Sequence, residues 1–237
     1  MKKYKYILFD MDGTITDSYE AVTRSFVYAL KYYGVTDYDE SKLRLILGPP
    51  LRESYEKLFG FSREKSLAAV EKYRERYKKC FLKEHKIFPG VRELLENLQN
   101  DGFRLVLATS KPLVSAEAIL EHFDLKKYFY FVGGASLDTS RDTKEKVLEY
   151  IFEKCDIDKS QAVMVGDRCY DLIGAEYMGI DAIGVLYGYG DRAELEQYKN
   201  VYLAKTPQDV YNYLMPELHG IEKTGEKYGK QSSCENC

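Results

Sequence analysis

The chain has 237 residues, 45% of them apolar and 31% charged, which is too much apolar side chain for a disordered polymer and too dispersed for a membrane-spanning protein. Its 35 basic and 38 acidic residues leave a formal charge of −3, so there is no broad cationic field to hold a nucleic-acid polymer or an anionic membrane surface. Five cysteines, Cys80, Cys155, Cys169, Cys234 and Cys237, are scattered and odd in number, unlike a secreted disulfide framework, and this points to a reducing, cytoplasmic compartment.

The first apolar run, Tyr6-Ile-Leu-Phe, closes on Asp10. It predicts a strand covered on both faces of a parallel sheet and is too short for a signal-peptide core. A long stretch without a strand signal follows. It carries helical stripes at Val22, Phe26, Leu30 and Tyr33, and at Leu67, Val70, Tyr73, Tyr77 and Phe81, interrupted by Gly48-Pro49-Pro50. These read as an inserted helical subdomain, a candidate lid for whatever lies at the strand's carboxyl end. From Pro89-Gly90 a helix with Val91, Leu94, Leu95 and Leu98 runs to Asn100-Asp101-Gly102. A strand over Phe103–Thr109 follows, then helices carrying Leu113, Ala116, Leu120 and Phe123, and Val147, Leu148, Ile151 and Phe152. Strands at Ala162–Gly166 and Ala182–Leu186 complete the series. The βαβαβ order predicts an α/β fold, a doubly wound parallel sheet with its functional groups beyond the carboxyl ends of the strands. The expected division is a core of 1–15 and 87–216, a helical cap of 16–86, and a polar tail of 217–237. The tail's Cys234-Glu-Asn-Cys237 has redox or zinc spacing but supplies only two ligands.

Three strand ends are polar in a way that structure alone does not explain. Asp10-Met-Asp-Gly-Thr14 puts two acids two residues apart at the close of an apolar strand, where each must be desolvated against the other unless a cation is present. Thr109-Ser110-Lys111 and Gly166-Asp167, with Asp171 a turn later, end two more. Lys144 falls in the first turn of a helix, at the positive end of its dipole, a place that becomes sensible when an anion sits between them. Taken alone, Lys144 reads as a solvated lysine beside Lys146; beside the three strand-end clusters, it reads as an anion-binding group. His85, His122 and His219 show no metal-ligand spacing and read as surface or rim residues.

In order and context these clusters resemble the haloacid dehalogenase superfamily of phosphohydrolases, in its branch with a helical cap between the first and second motifs. The resemblance runs from about Tyr4 to Leu214. Asp10-Met-Asp-Gly-Thr14 is similar to the first motif, Thr109 to the second, Lys144 to the third, and Gly166-Asp167 with Asp171 to the fourth. Gly48-Pro49-Pro50-Leu51 and the segment from Gly184 to Gly190 look like those of phosphoglycolate phosphatase-like members, and among them a 5′-nucleotidase-like group. The resemblance implies that Asp10 is the nucleophile, forming an aspartyl-phosphate, and Asp12 the general acid and then base. Gly13, Thr109, Ser110 and Lys144 would hold the phosphoryl group. Asp10, Asp12, Asp167 and Asp171, if they converge, would repel a dianionic substrate without a hard cation, and Mg²⁺ fits. Arg52 could face the substrate or be a solvated helix residue.

Asp12 favours phosphate-ester chemistry over the dehalogenase, phosphonate-cleaving and transport-ATPase relatives, which carry other residue types there. Glu20-Ala-Val22 stands where sugar-phosphate mutases of the family place a histidine, which disfavours a mutase. A signalling receiver domain phosphorylated on aspartate and a non-catalytic binding subunit are the alternatives from other classes. A receiver would be shorter and without the inserted helices, and every motif position here holds a competent residue. The expected partner is a small phosphate monoester, the expected state a monomer or small homo-oligomer.

Overall fold

A computed structural model describes residues 3–138 and 140–215. The chain forms two compact units, one comprising the residues up to Thr16 and from Ile87 onward, the other Asp17–Lys86. The first unit is built on a six-stranded sheet. In chain order its strands are β1 (Tyr6–Phe9), β4 (Arg104–Pro112), β5 (Phe129–Ala135), β6 (Ala162–Gly166), β7 (Asp181–Val185) and β8 (Tyr202–Ala204), in spatial order β5-β4-β1-β6-β7-β8 and parallel throughout. Two short strands at the unit boundary, β2 (Thr16–Asp17) and β3 (Lys86–Ile87), pair with each other where the chain leaves and re-enters this unit. Helices α4 (Val91–Asn100), α5 (Leu113–His122), α6 (Lys144–Lys154), α7 (Cys169–Met178), α8 (Arg192–Leu195) and α9 (Pro207–Leu214) complete it. The doubly wound α/β sheet is the one expected.

The four strands legible as apolar runs are the central ones. Ile7, Leu8 and Phe9 of β1 and Val163, Met164 and Val165 of β6 are buried because helices cover both faces. One face packs Val147, Leu148 and Ile151 of α6 and Leu172 and Ala175 of α7 into a cluster with Leu8, Val106 and Met164. The outer strands β5 and β8 were not foreseen. β8 has only three residues, and the apolar run of β5 gives way to Gly133-Gly134, where an added Cβ would come within 2.5 Å of Ile151 and 2.8 Å of the Leu113 backbone. From β1 the chain winds to β4 and β5 on one side and then crosses to β6, β7 and β8 on the other. The direction of winding thus reverses at β1, the place where sheets of this class open a crevice at their carboxyl edge.

The second unit is helical, with α1 (Tyr19–Tyr32), a 3₁₀ segment (Glu40–Ile46), α2 (Leu51–Phe59) and α3 (Arg63–Glu84). α1 buries Val22, Phe26 and Leu30. Tyr55 of α2 is fully buried, its ring stacked 3.9 Å from Phe26 and 5.7 Å from Phe61. The expected stripe on α3 is out of phase at its start: Leu67 is 52% exposed, and the buried face consists of Ser66, Ala69, Tyr73 and Tyr77. Small residues on that face let α1 approach closely. His85 also corrects the expectation of a surface histidine. It is buried at the end of α3, with Nδ1 2.8 Å from the Phe81 carbonyl and Nε2 3.5 Å from the Tyr77 hydroxyl. His122 is exposed, whereas His219, Cys234 and Cys237 lie outside the described residues.

Candidate active site

Asp10 is the first residue beyond β1, and its N–H still donates to the Val165 carbonyl of β6 at 2.9 Å, so the strand fixes its backbone. The chain then closes on itself. The Met11 carbonyl accepts from the N–H groups of Thr14, Ile15 and Thr16, and Gly13 N–H donates to the Thr16 carbonyl at 2.8 Å. Gly13 has φ +86°, and a Cβ there would lie 2.0 Å from Asp167 Oδ2. Both the left-handed backbone and the closeness of Asp167 demand glycine.

Asp167, the first residue beyond β6, is completely buried. Its Oδ2 accepts from the Tyr189 N–H at 2.8 Å, and Thr14 Oγ1 donates to Oδ1 at 3.5 Å. The segment after β7 wraps this carboxylate tightly. A Cβ on Gly188 would fall 2.3 Å from the Gly13 carbonyl, and one on Gly190 2.0 Å from the Asp167 carbonyl. Gly166 is constrained likewise, since its Cβ would meet Asp171 at 2.2 Å. Asp171 lies in the first turn of α7 and accepts at Oδ2 from the Arg168 N–H, 3.1 Å away. Bare backbone therefore surrounds the acids where side chains would clash.

Lys144 opens α6, whose cap is Thr143, and its side chain is only 3% exposed. The ammonium donates to Asp10 Oδ1 at 2.7 Å and to the Ala108 carbonyl of β4 at 2.7 Å, and lies 2.8 Å from Asp171 Oδ1. Gly174 on α7 makes room for it, since a Cβ there would sit 2.7 Å from Lys144 Cγ. Lys144 is thus a buried ion-paired group, not the solvated lysine of the blander reading.

One oxygen each of Asp10, Asp167 and Asp171 lie within 4.8 Å of one another. Three buried carboxylates face one buried ammonium, and the field shows it. Burial pushes the Asp10 carboxyl up to about 6 against the pull of Lys144. Asp167 is held well above the ordinary carboxylate range by burial, then by Asp171 and Asp10. Burial works to strip the proton from Lys144, but Asp10 and Asp171 more than offset it and hold the ammonium above the usual lysine range. Hard oxygen donors, clustered, buried and under-neutralised, suit a hard divalent cation.

Asp12 stands apart from this trio. Its carboxylate belongs to an ion pair with Lys111, Nζ to Oδ2 2.7 Å, so three of the four expected carboxylates converge and the fourth is engaged by a lysine. Thr109 is buried near the end of β4, and its Oγ1 accepts from the Lys111 N–H at 3.1 Å; Ser110 is exposed. Arg52 belongs to the helical unit, where Glu56 on its own helix takes the guanidinium at 2.7 and 2.9 Å and Glu53 lies at 3.8 Å. Sequence reasoning gave no part to Lys111, Gly188 or Tyr189. The lysine's place in a Thr-Ser-Lys strand end was the one available signal; the other two act through backbone atoms.

Similarities to known proteins give this geometry its context. A family model described as haloacid dehalogenase-like hydrolase matches residues 7–185. A 5′-nucleotidase of Pseudomonas aeruginosa is 39% identical over 197 residues, 83% of this chain and 89% of that protein. Tyrosine-protein kinase PtkA of Mycobacterium tuberculosis is 37% identical over 185 residues, 78% of this chain and 62% of that one. A crystal structure described as a predicted phosphatase from Clostridium acetobutylicum superposes with a TM-score of 0.85 at 39% identity, covering 90% of this chain and 99% of the other. With its acids and lysine at the carboxyl edge of a doubly wound sheet, and with a family match over most of its length, the chain belongs to the haloacid dehalogenase-like hydrolases and is a phosphatase of that family.

Proposed function

We propose that this chain is a Mg²⁺-dependent phosphomonoesterase that hydrolyses a small phosphorylated metabolite, of the 5′-nucleotide or phosphoglycolate type, through an aspartyl-phosphate on Asp10. The observation that carries the reading is Asp10 itself, a carboxylate at the end of the central strand, ion-paired to buried Lys144 and clustered with Asp167 and Asp171. An oxygen of Asp10 attacks phosphorus in line. A P–O bond to Asp10 forms as the P–O bond to the leaving group breaks. Asp12, which must carry a proton in the substrate complex, delivers it to the departing oxygen and is left as the carboxylate paired with Lys111. It then takes one from the water that attacks the acyl phosphate, which frees inorganic phosphate and restores Asp10. Lys144, Thr109 and the backbone at Gly13 and Ser110 bear the phosphoryl charge. Asp10, Asp167 and Asp171 would hold the metal. A bound Mg²⁺ supplies the positive charge that lets a phosphate dianion approach these carboxylates.

The helical unit, inserted directly after the strand that bears Asp10, is assigned the choice of leaving group, with Arg52 as its candidate contact. Cys80, Cys155 and Cys169 form no disulfide among the described residues, which supports a cytoplasmic setting. No helix among the described residues is long and apolar enough to cross a membrane.

The test is phosphate release from a panel of nucleotides, phosphoglycolate and sugar phosphates with Mg²⁺, together with trapping of the intermediate in wild type and Asp10→Asn. Hydroxylamine-labile phosphate on the wild type alone is the expected result. The similarity to a protein named tyrosine-protein kinase raises a second reading, transfer to a tyrosyl hydroxyl in place of water. Alkali-stable label from ATP, with no phosphate release, would favour that reading.

A further inference from the structure

Lys111 is a lysine with almost no access to water, its side chain 6% exposed, near the end of β4. An ammonium in such a place is costly unless a charge matches it. The match is Asp12 Oδ2 at 2.7 Å. Lys111 is also steered there by its own backbone. The pairing of β4 with β5 shifts register between Thr109 and Pro112, an irregularity of the kind that re-aims side chains, and the Lys111 N–H is tied to Thr109 Oγ1 at 3.1 Å. The Asp12 side chain is 29% exposed and pairs with Lys111, whereas Asp10 and Asp171 pair with buried Lys144. A buried ion pair often gains little stability over an apolar pair of the same shape, so stability does not by itself account for a lysine here.

We infer that Lys111 is a positioning residue for Asp12: by holding Oδ2 it fixes the orientation in which the Asp12 carboxyl meets the leaving-group oxygen. The inference rests on the phosphomonoesterase reading above. It differs from a phosphate-binding role, since a lysine that gripped the phosphoryl group would serve every substrate alike. A lysine that aims the acid serves substrates in proportion to their need for a proton. Alkyl alkoxides are strong bases and need one in the transition state, whereas an activated aryl leaving group departs almost unaided.

The experiment measures kcat/KM with Mg²⁺ over aryl and alkyl phosphates graded by leaving-group pKa. The proteins are wild type, Lys111→Met, Lys111→Arg, Asp12→Asn and the double variant Lys111→Met with Asp12→Asn, each checked by thermal melting. Misplacing an acid that contributes on the order of 100-fold or more should cost Lys111→Met roughly 10- to 100-fold on alkyl phosphates. The loss on para-nitrophenyl phosphate should be at least about tenfold smaller. Lys111→Arg should recover part of the alkyl activity, and the double variant should be no slower than Asp12→Asn alone, because a carboxamide has no acid to aim. Equal losses across the series, a change confined to KM, or losses that multiply in the double variant would overturn the inference. If Lys111→Met does not fold, Lys111→Gln must show the same graded loss. A wild-type protein that hydrolyses none of the esters would instead bring down the phosphomonoesterase reading, and this inference with it.

Discussion

Asp10→Asn in chelator tests the electrostatics of the site separately from its catalysis. Asp10 is moved from an ordinary 3.8 to about 6, first by burial, with Lys144 opposing and Asp171 and Asp12 adding to the rise. At about 1.4 kcal/mol per tenfold change in proton affinity, that difference is about 3 kcal/mol. The carboxyl's pKa is raised in the folded state, so the fold favours the protonated form. The group's contribution to stability is therefore complete below about pH 4 and is lost as pH rises through about 6. Asparagine cannot ionise, keeps the shape, and still offers an oxygen to Lys144. In EDTA, the wild type should lose about 3 kcal/mol relative to Asp10→Asn between pH 4 and pH 7, and the variant should melt higher at pH 7.5. For a chain of this size, that is a gain on the order of 5 to 10 °C. Mg²⁺ should narrow the gap, because a cation that binds only the folded wild type stabilises it by mass action. Melting curves followed by circular dichroism from pH 4 to 8, with EDTA or Mg²⁺, measure all of this. Parallel pH profiles for the two proteins, or a variant that melts lower than wild type in EDTA at pH 7.5, would refute the account.

Phosphatase activity should vanish with chelator and return with Mg²⁺, and Asp167→Asn should raise the Mg²⁺ needed for half-maximal rate by about tenfold or more; a Mg²⁺ titration of phosphate release checks both. Gly188→Ala places a methyl group 2.3 Å from the Gly13 carbonyl and 2.4 Å from Asp167 Cβ, so kcat should fall on the order of 100-fold while the melting point drops by a few degrees. Arg52→Ala removes a half-exposed pair with Glu56 and should cost less than about 1 kcal/mol by thermal melting; it should reorder kcat/KM among substrates if Arg52 meets the leaving group, and equal losses across the panel would take it out of that role.

How much of this was legible in the sequence depends on which force sets each element. The central strands declare themselves because burial on both faces forces an unbroken apolar run, as in Tyr6–Phe9 and Ala162–Gly166. Outer strands carry no such constraint, and β5 with its two glycines and β8 with three residues went unseen. In α3 the stripe holds at Tyr73 and Tyr77 but is out of phase at its start, because small Ser66 and Ala69, not Leu67, lie on the buried face. Lys144 could be read because a lysine at a helix N-terminus conflicts with the dipole. Lys111 could not, because nothing local distinguishes a lysine near a strand end that turns inward at a register shift from one that points to water. The part played by Gly188 and Gly190 is wholly tertiary, set by an aspartate some twenty residues earlier in the chain.

The charges of the site lead to a last conclusion about the order of events. Lys111 and Asp12 cancel as a pair, which leaves Asp10, Asp167 and Asp171 against Lys144 alone. With all three acids ionised, that is a net charge of two negatives in a buried space, and a phosphate dianion would double it. Burial first, and the neighbouring acids after it, raise Asp10 and Asp167 both, so without a cation the site favours holding protons. A protonated Asp10 is a poor nucleophile, so below about pH 6 the site without a cation is unready. A divalent cation held by Asp10, Asp167 and Asp171 would displace those protons and supply positive charge for the substrate. Metal binding should therefore release protons near pH 6, and substrate affinity should rise with metal occupancy.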